Sequence, residues 1–186
     1  VQLNIATSLT LLRIILIPFL MLFFYLPWGG AQIICALIFV VASFTDWLDG
    51  YLARKLGQTT PFGAFLDPVA DKLIVAAALV LLVQNDPEPG LAIAAVVIIG
   101  REIAIASLRE WMAEIGQRNK VEVSWLGKLK TTMQMAAITL LLFAVDWWTE
   151  ILRPIGYLFL YIAALLTLWS MVNYLRAAWP ELVKSR

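Results

Sequence analysis

The chain contains no histidine and a single cysteine, and only 15% of its 186 residues are Asp, Glu, Lys or Arg. Without histidine, Ser-His-Asp and Cys-His nucleophile systems and imidazole metal sites are excluded. Cys35 stands alone in an apolar run, so there is no intramolecular disulfide, and a cysteine zinc site lacks its ligands. Neither sign of charge dominates. The 14 basic and 13 acidic residues leave a formal net charge of +1, which speaks against a nucleic-acid-binding domain. The first apolar run has no small-residue cleavage site and comparable runs follow it, so a cleavable signal peptide is not expected. No internal repeat or low-complexity segment is visible. Carboxylates, basic side chains, hydroxyls and backbone are what remains for chemistry.

What the chain has in excess is hydrocarbon: 62% of residues are hydrophobic and the mean hydropathy is +0.85, far from the composition of a soluble domain. A spanning helix needs about 20 mostly apolar residues, and six such stretches lie near 7–27, 31–53, 66–84, 91–111, 128–147 and 153–175. The expected fold is all-α, six transmembrane helices in a single membrane domain covering 1–186. Turn chemistry separates the stretches: Pro27 to Gly30, Gly57 to Pro61, Asn85 to Gly90, a polar segment from Glu114 to Gly127, and a Trp-rich turn from Asp146 to Pro154. Of the 14 Lys and Arg residues, all but Arg153 fall on or toward one face when both termini share it, which predicts cytoplasmic termini. The tail from Arg176 to Arg186 then reads as a helix end on an anionic leaflet.

Four acids resist this description. Asp46 and Asp49 lie near the end of the second span, and Asp67 and Asp71 near the start of the third. Spacings of three and four put each pair on one helical face. If the two helices run antiparallel with those faces opposed, the four carboxylates converge. Each ionised acid at membrane depth costs roughly 2.5–3.5 kcal/mol, less near the interface, and clustering adds repulsion. Hard divalent cations such as Mg²⁺ or Mn²⁺ resolve both problems with all-oxygen ligands. The alternative is a set of solvated acids pairing with Arg54, Lys55 and Lys72. Gly50 and Gly63 beside the pairs either admit a ligand closely or serve helix packing.

The string Asp46-Trp47-Leu48-Asp49-Gly50-Tyr51-Leu52-Ala53-Arg54, then eight residues to Gly63, three more to Asp67 and three more to Asp71, resembles the complete signature D-x₂-D-G-x₂-A-R-x₈-G-x₃-D-x₃-D of the CDP-alcohol phosphotransferases. Between about residues 4 and 176 the chain resembles, more narrowly, the bacterial branch of that family that uses glycerol 3-phosphate as acceptor. The resemblance implies transfer of a phosphatidyl group from CDP-diacylglycerol to sn-glycerol 3-phosphate, with release of CMP. It implies two divalent cations, Mg²⁺ or Mn²⁺, held by Asp46, Asp49 and Asp67, with Asp71 on one of them and also the general base. It further implies a multi-pass protein of the bacterial inner membrane, active site toward the cytoplasm, in a family that tends to form homodimers.

By the same resemblance, Gly50 and Ala53 lie against the cytidine and ribose, and Arg54 offers its planar fork to the pyrophosphate, where anchoring at the positive face is the other role open to it. Thr60 is a nucleotide contact or a turn hydroxyl. Asn4, with Thr10 and Arg13, resembles a segment that approaches the donor phosphates, although related sequences often have proline at Ala6; an N-cap around Asn4 to Ser8 explains the same residues. Arg101 sits deep in an apolar run and needs a partner there. An acceptor phosphate between Arg101, Arg109 and Lys128, the positions matching the branch's phosphate site, supplies one. Internal pairing with Glu102, Glu110 or the aspartates is the alternative. Competing functions are transfer to another acceptor (inositol phosphate, serine or a lipid), a membrane prenyltransferase, and a divalent-cation transporter. Prenyltransferases usually carry two separated aspartate-rich motifs, and a transporter would continue its acids across the bilayer.

Overall fold

The computed structural model describes residues 5–56, 60–117, 125–144 and 149–184, and these form six α-helices. They are α1 (Ile5–Phe24), α2 (Ala31–Leu56), α3 (Pro61–Asn85), α4 (Pro89–Glu114), α5 (Trp125–Phe143) and α6 (Thr149–Lys184). For residues 50–56 and for Lys128 it is the helical backbone, not the side chain, that is described.

The turns fall where glycine and proline clusters put them, with two informative shifts. α3 begins at Pro61, five residues before the expected span, because Thr60 caps it: its Oγ1 accepts the Gly63 N–H, and Pro61 fills the position where no amide hydrogen is needed. α6 begins at Thr149, so Pro154, expected in the turn, lies inside the helix. Proline is tolerated in apolar helices of this kind because neighbouring groups re-satisfy the freed carbonyl.

Among the described residues, three helices are long and apolar enough to cross a membrane, within Thr7–Phe24, Pro89–Glu114 and Thr149–Pro180. Shorter apolar helices, Ala31–Asp46 and Leu129–Phe143, lie in α2 and α5. Large apolar side chains such as Phe44, Val80, Val96, Leu165 and Trp169 face outward, which suits a hydrocarbon surround rather than water.

The core joins Leu20, Phe39, Ile74, Leu79, Ile98, Ile138 and Leu160, interleaved with Ala36, Ala78, Ala94, Ala95 and Ala137. Small residues let helix backbones approach, the usual packing device where lipid removes the hydrophobic drive between helices. A second cluster, Ile105, Met112, Tyr174 and Ala178, joins α4 to α6. α1 packs broadly on both α2 and α3, whereas α2 and α3 touch each other only slightly. The Cys35 thiol donates to the Leu20 carbonyl, so α1 and α2 run antiparallel; Tyr25 Oη donates to Gln84 Oε1 at 2.5 Å while Thr7 meets Thr60, so α1 and α3 run parallel.

At the end of α3 the Asp86 carboxylate accepts hydrogen bonds from Arg153 and Tyr157 of α6. The Tyr157 hydroxyl, with the Arg153 guanidinium beside it, holds the Asp86 carboxyl below the usual carboxylate range. A lowered value in the folded state means stability that is present above the ordinary carboxylate range and is lost as pH falls through the folded value. Asp86→Asn is therefore expected to lower stability at neutral pH by about 1 kcal/mol or less, the scale of an accessible ion pair. In thermal unfolding of detergent-solubilised protein, the difference from wild type should vanish as pH falls below the Asp86 value.

Candidate active site

Three helices build the carboxylate cluster, not two. Asp46 and Asp49 occupy one face of α2 near its end, and Asp67 and Asp71 one face of α3 near its start, as their spacing requires. Between them lies α1, and from it Arg13 reaches all four acids. Its Nη2 is 2.6 Å from Asp49 Oδ2, its Nη1 is 3.4 Å from Oδ1 of both Asp46 and Asp67, and Nη1 also donates to Asp71 Oδ1. The Arg13 side chain is 1% exposed; that of Asp49 is buried, and those of Asp46, Asp67 and Asp71 are partly open. One turn before Arg13, Thr10 Oγ1 donates to Asp49 Oδ2 at 3.4 Å.

The α1–α3 contact that sets this geometry depends on Gly63. A Cβ there would lie 2.9 Å from Thr7 Oγ1 and 3.0 Å from Thr60 Oγ1, and Thr7 and Thr60 are themselves hydrogen-bonded at 3.2 Å. The missing side chain makes room for α1, which is the packing role left open above. Thr60, offered as a nucleotide contact, is engaged with Gly63 and Thr7 as a cap.

Oxygen atoms of Asp46, Asp49 and Asp67 lie within 4.8 Å of one another, a grouping able to hold a metal ion. The donor set fits a hard divalent cation: all ligands are carboxylate oxygens, and no sulfur or imidazole is present. Among the described side chains, four carboxylates against one guanidinium also leave three formal negative charges for cations to balance.

The second charged group is held by internal pairs. Arg101 Nη1 donates to Glu102 Oε1 at 3.1 Å and its Nη2 to Ser170 at 2.9 Å, with the guanidinium 5.5 Å from the Tyr174 ring centre. The lysine that joins it is Lys130, which is buried and donates to the same Glu102 oxygen. Arg109 is exposed on α4, and the Lys128 side chain lies outside the described residues. Internal pairing, the alternative above, is thus realised for Arg101. Lys130 was legible in principle: it shares a helical stripe with the buried Gln134, Ala137 and Ile138, so it points into the bundle. Asn4 and the side chains of Gly50, Ala53 and Arg54 lie outside the described residues.

A bundle of apolar helices that gathers four aspartates of this spacing at one end offers a membrane site for divalent cations. The profile of the CDP-alcohol phosphatidyltransferase family matches residues 3–169, and the chain belongs to that family. It is 55% identical over 183 residues to a protein of Yersinia enterocolitica serotype O:8 / biotype 1B named CDP-diacylglycerol–glycerol-3-phosphate 3-phosphatidyltransferase, covering 98% of this chain and 99% of the relative. Relatives with the same name in Sodalis glossinidius, 56% identical over 97% of this chain and 98% of theirs, and in Pectobacterium atrosepticum, 56% identical over 98% and 99%, agree.

Gly63→Ala is expected to lower stability by about 1–3 kcal/mol, the cost of overpacking, read as a drop in unfolding temperature in detergent. Adding Thr7→Ala should recover part of the loss, because it removes the nearer of the two oxygens. No recovery would mean that α1 does not seat on Gly63.

Proposed function

We propose that this protein transfers the phosphatidyl group of CDP-diacylglycerol to sn-glycerol 3-phosphate, giving phosphatidylglycerophosphate and CMP. The observation that carries this reading is the convergence of Asp46, Asp49, Asp67 and Asp71 from two helices at one end of an apolar bundle. The family and the names of relatives that match nearly end to end support it.

In this reading Asp46, Asp49 and Asp67 hold two divalent cations, Mg²⁺ or Mn²⁺, with Asp71 on one of them. When bound, the ions supply charge stabilisation for the pyrophosphate and for the oxygens that attack and leave. The work left to the chain is positioning, as in other phosphoryl transfers. Gly50 and Ala53 leave space for the cytidine and ribose along α2, Arg54 donates to the pyrophosphate, and Asn4 approaches the donor phosphates. Thr60 contributes by fixing the start of α3, and so the direction of Asp67 and Asp71. Asp71 accepts the proton of the acceptor hydroxyl as that oxygen bonds to the β-phosphorus. The bond from that phosphorus to the bridging oxygen breaks, and CMP departs with its electron pair.

Arg101, Arg109 and Lys128 receive the acceptor's phosphate. Lys130 joins this set through Glu102, whose carboxylate stands where Arg101 and Lys130 converge. The chain 1–186 is one membrane domain of six spans with its termini and active site at the cytoplasmic face of a bacterial inner membrane, and it works as a homodimer among membrane lipids. The bias of basic residues supports the orientation.

The test is release of CMP by purified protein given CDP-diacylglycerol with glycerol 3-phosphate, inositol phosphate or serine, with and without chelator. Turnover is expected only with glycerol 3-phosphate and metal. Asp71→Asn should lose about 10²–10⁴-fold in kcat, the range of general-base catalysis. Arg109→Ala should raise the KM for glycerol 3-phosphate about tenfold or more, as loss of a charge-assisted contact does, and leave CDP-diacylglycerol binding near wild type. Normal CMP release by Asp71→Asn would overturn the assignment.

A further inference from the structure

The carboxylate cluster already contains a cation, and it belongs to the chain. Nη1 of Arg13 stands against Oδ1 of Asp46, Asp67 and Asp71, and Nη2 against Oδ2 of Asp49. The same side chains bring the oxygens of Asp46, Asp49 and Asp67 within 4.8 Å of one another. A magnesium-sized ion needs its oxygens at about 2.0–2.1 Å, and a guanidinium drawing on the same carboxylates competes with it and repels it.

Two further observations mark Arg13 as held by charge rather than by a complete set of hydrogen bonds. Among the described residues its Nε is buried and has no acceptor, although buried donors are almost always paired. One guanidinium also neutralises only one of four carboxylates, so the cluster retains its attraction for divalent ions. Without any cation, four carboxylates at this spacing would repel one another and push α2 and α3 apart.

We propose that Arg13 is the internal counter-ion of the aspartate cluster: it holds the four carboxylates together when metal is absent and gives up its place among them when a divalent cation binds. Arg13 is then a positioning residue whose attraction to the aspartates opposes metal entry. This rests on the reading of the cluster as a divalent-cation site. Thr10 stays on Asp49 from the same helix, and the flexible arginine stem lets the exchange proceed through side-chain torsions.

The test needs no substrate. Binding of Mn²⁺ to purified protein in detergent is followed by the loss of the free-ion electron paramagnetic resonance signal, and unfolding temperature is measured in chelator and in saturating Mn²⁺. Wild type, Arg13→Gln, Arg13→Lys and Asp49→Asn are compared. Arg13→Gln is expected to bind Mn²⁺ about tenfold tighter or more, the effect of removing an adjacent like charge. It should be less stable than wild type in chelator and should gain more from Mn²⁺. Arg13→Lys, whose single ammonium cannot fork to four carboxylates, should fall between, and it carries the comparison if Arg13→Gln does not fold. Equal or weaker Mn²⁺ binding by the Arg13 variants, while wild type binds and Asp49→Asn does not, would overturn the exchange and leave the metal site standing. No Mn²⁺ binding by wild type would overturn both.

Discussion

Repulsion among four carboxylates is the constraint around which one end of this bundle is built. Each acid is expensive at the edge of an apolar medium, and each makes its neighbours more expensive. Arg13 answers that repulsion by drawing α1 between α2 and α3, so that the helices bearing the aspartates meet mainly through a third. Gly63 and Thr60 then set how closely α1 can lie, through contacts that involve no charge. The site and the packing are in this sense one structure: the charge network needs α1 close, and the glycine permits it.

The same logic recurs elsewhere in the chain. Arg101 and Lys130 share the Glu102 carboxylate deep in the α4–α5–α6 contact, and Ser170 and Tyr174 complete the surroundings of Arg101. At the opposite end Asp86 ties the close of α3 to α6 through Arg153 and Tyr157. Charged groups inside apolar bundles are kept where an opposite charge is near. Two of these arrangements set a single charge among opposite ones: a guanidinium among four carboxylates, and a carboxylate between a guanidinium and an ammonium. The third joins the ends of helices.

Much of this was legible in the chain itself, and the misses have physical causes. The helix ends at Phe24 and Asn85 followed glycine and proline clusters closely, because local backbone preferences decide them. Pro154 was misplaced because a proline that ends a helix in water is accepted in one packed within an apolar bundle. The pairing of Asp46 with Asp49 and of Asp67 with Asp71 on single faces was plain from spacing. The role of Gly63 was not, since the hydroxyl that needs its space belongs to Thr7, far away in the chain. The stripe of Lys130, Gln134 and Ile138 marks Lys130 as facing inward.

An apolar helical bundle, unusual acids paired on helix faces, and an acid pattern that is that of the CDP-alcohol phosphatidyltransferases can all be read along the chain. These are properties of composition and of the helical repeat, which act over a few residues. It takes the packing of distant helices to put Arg13 among the aspartates, α1 between the helices carrying them, and Glu102 between Arg101 and Lys130. Those outcomes depend on how closely distant helices approach, and a helical repeat fixes direction around its own axis but not the neighbour it meets.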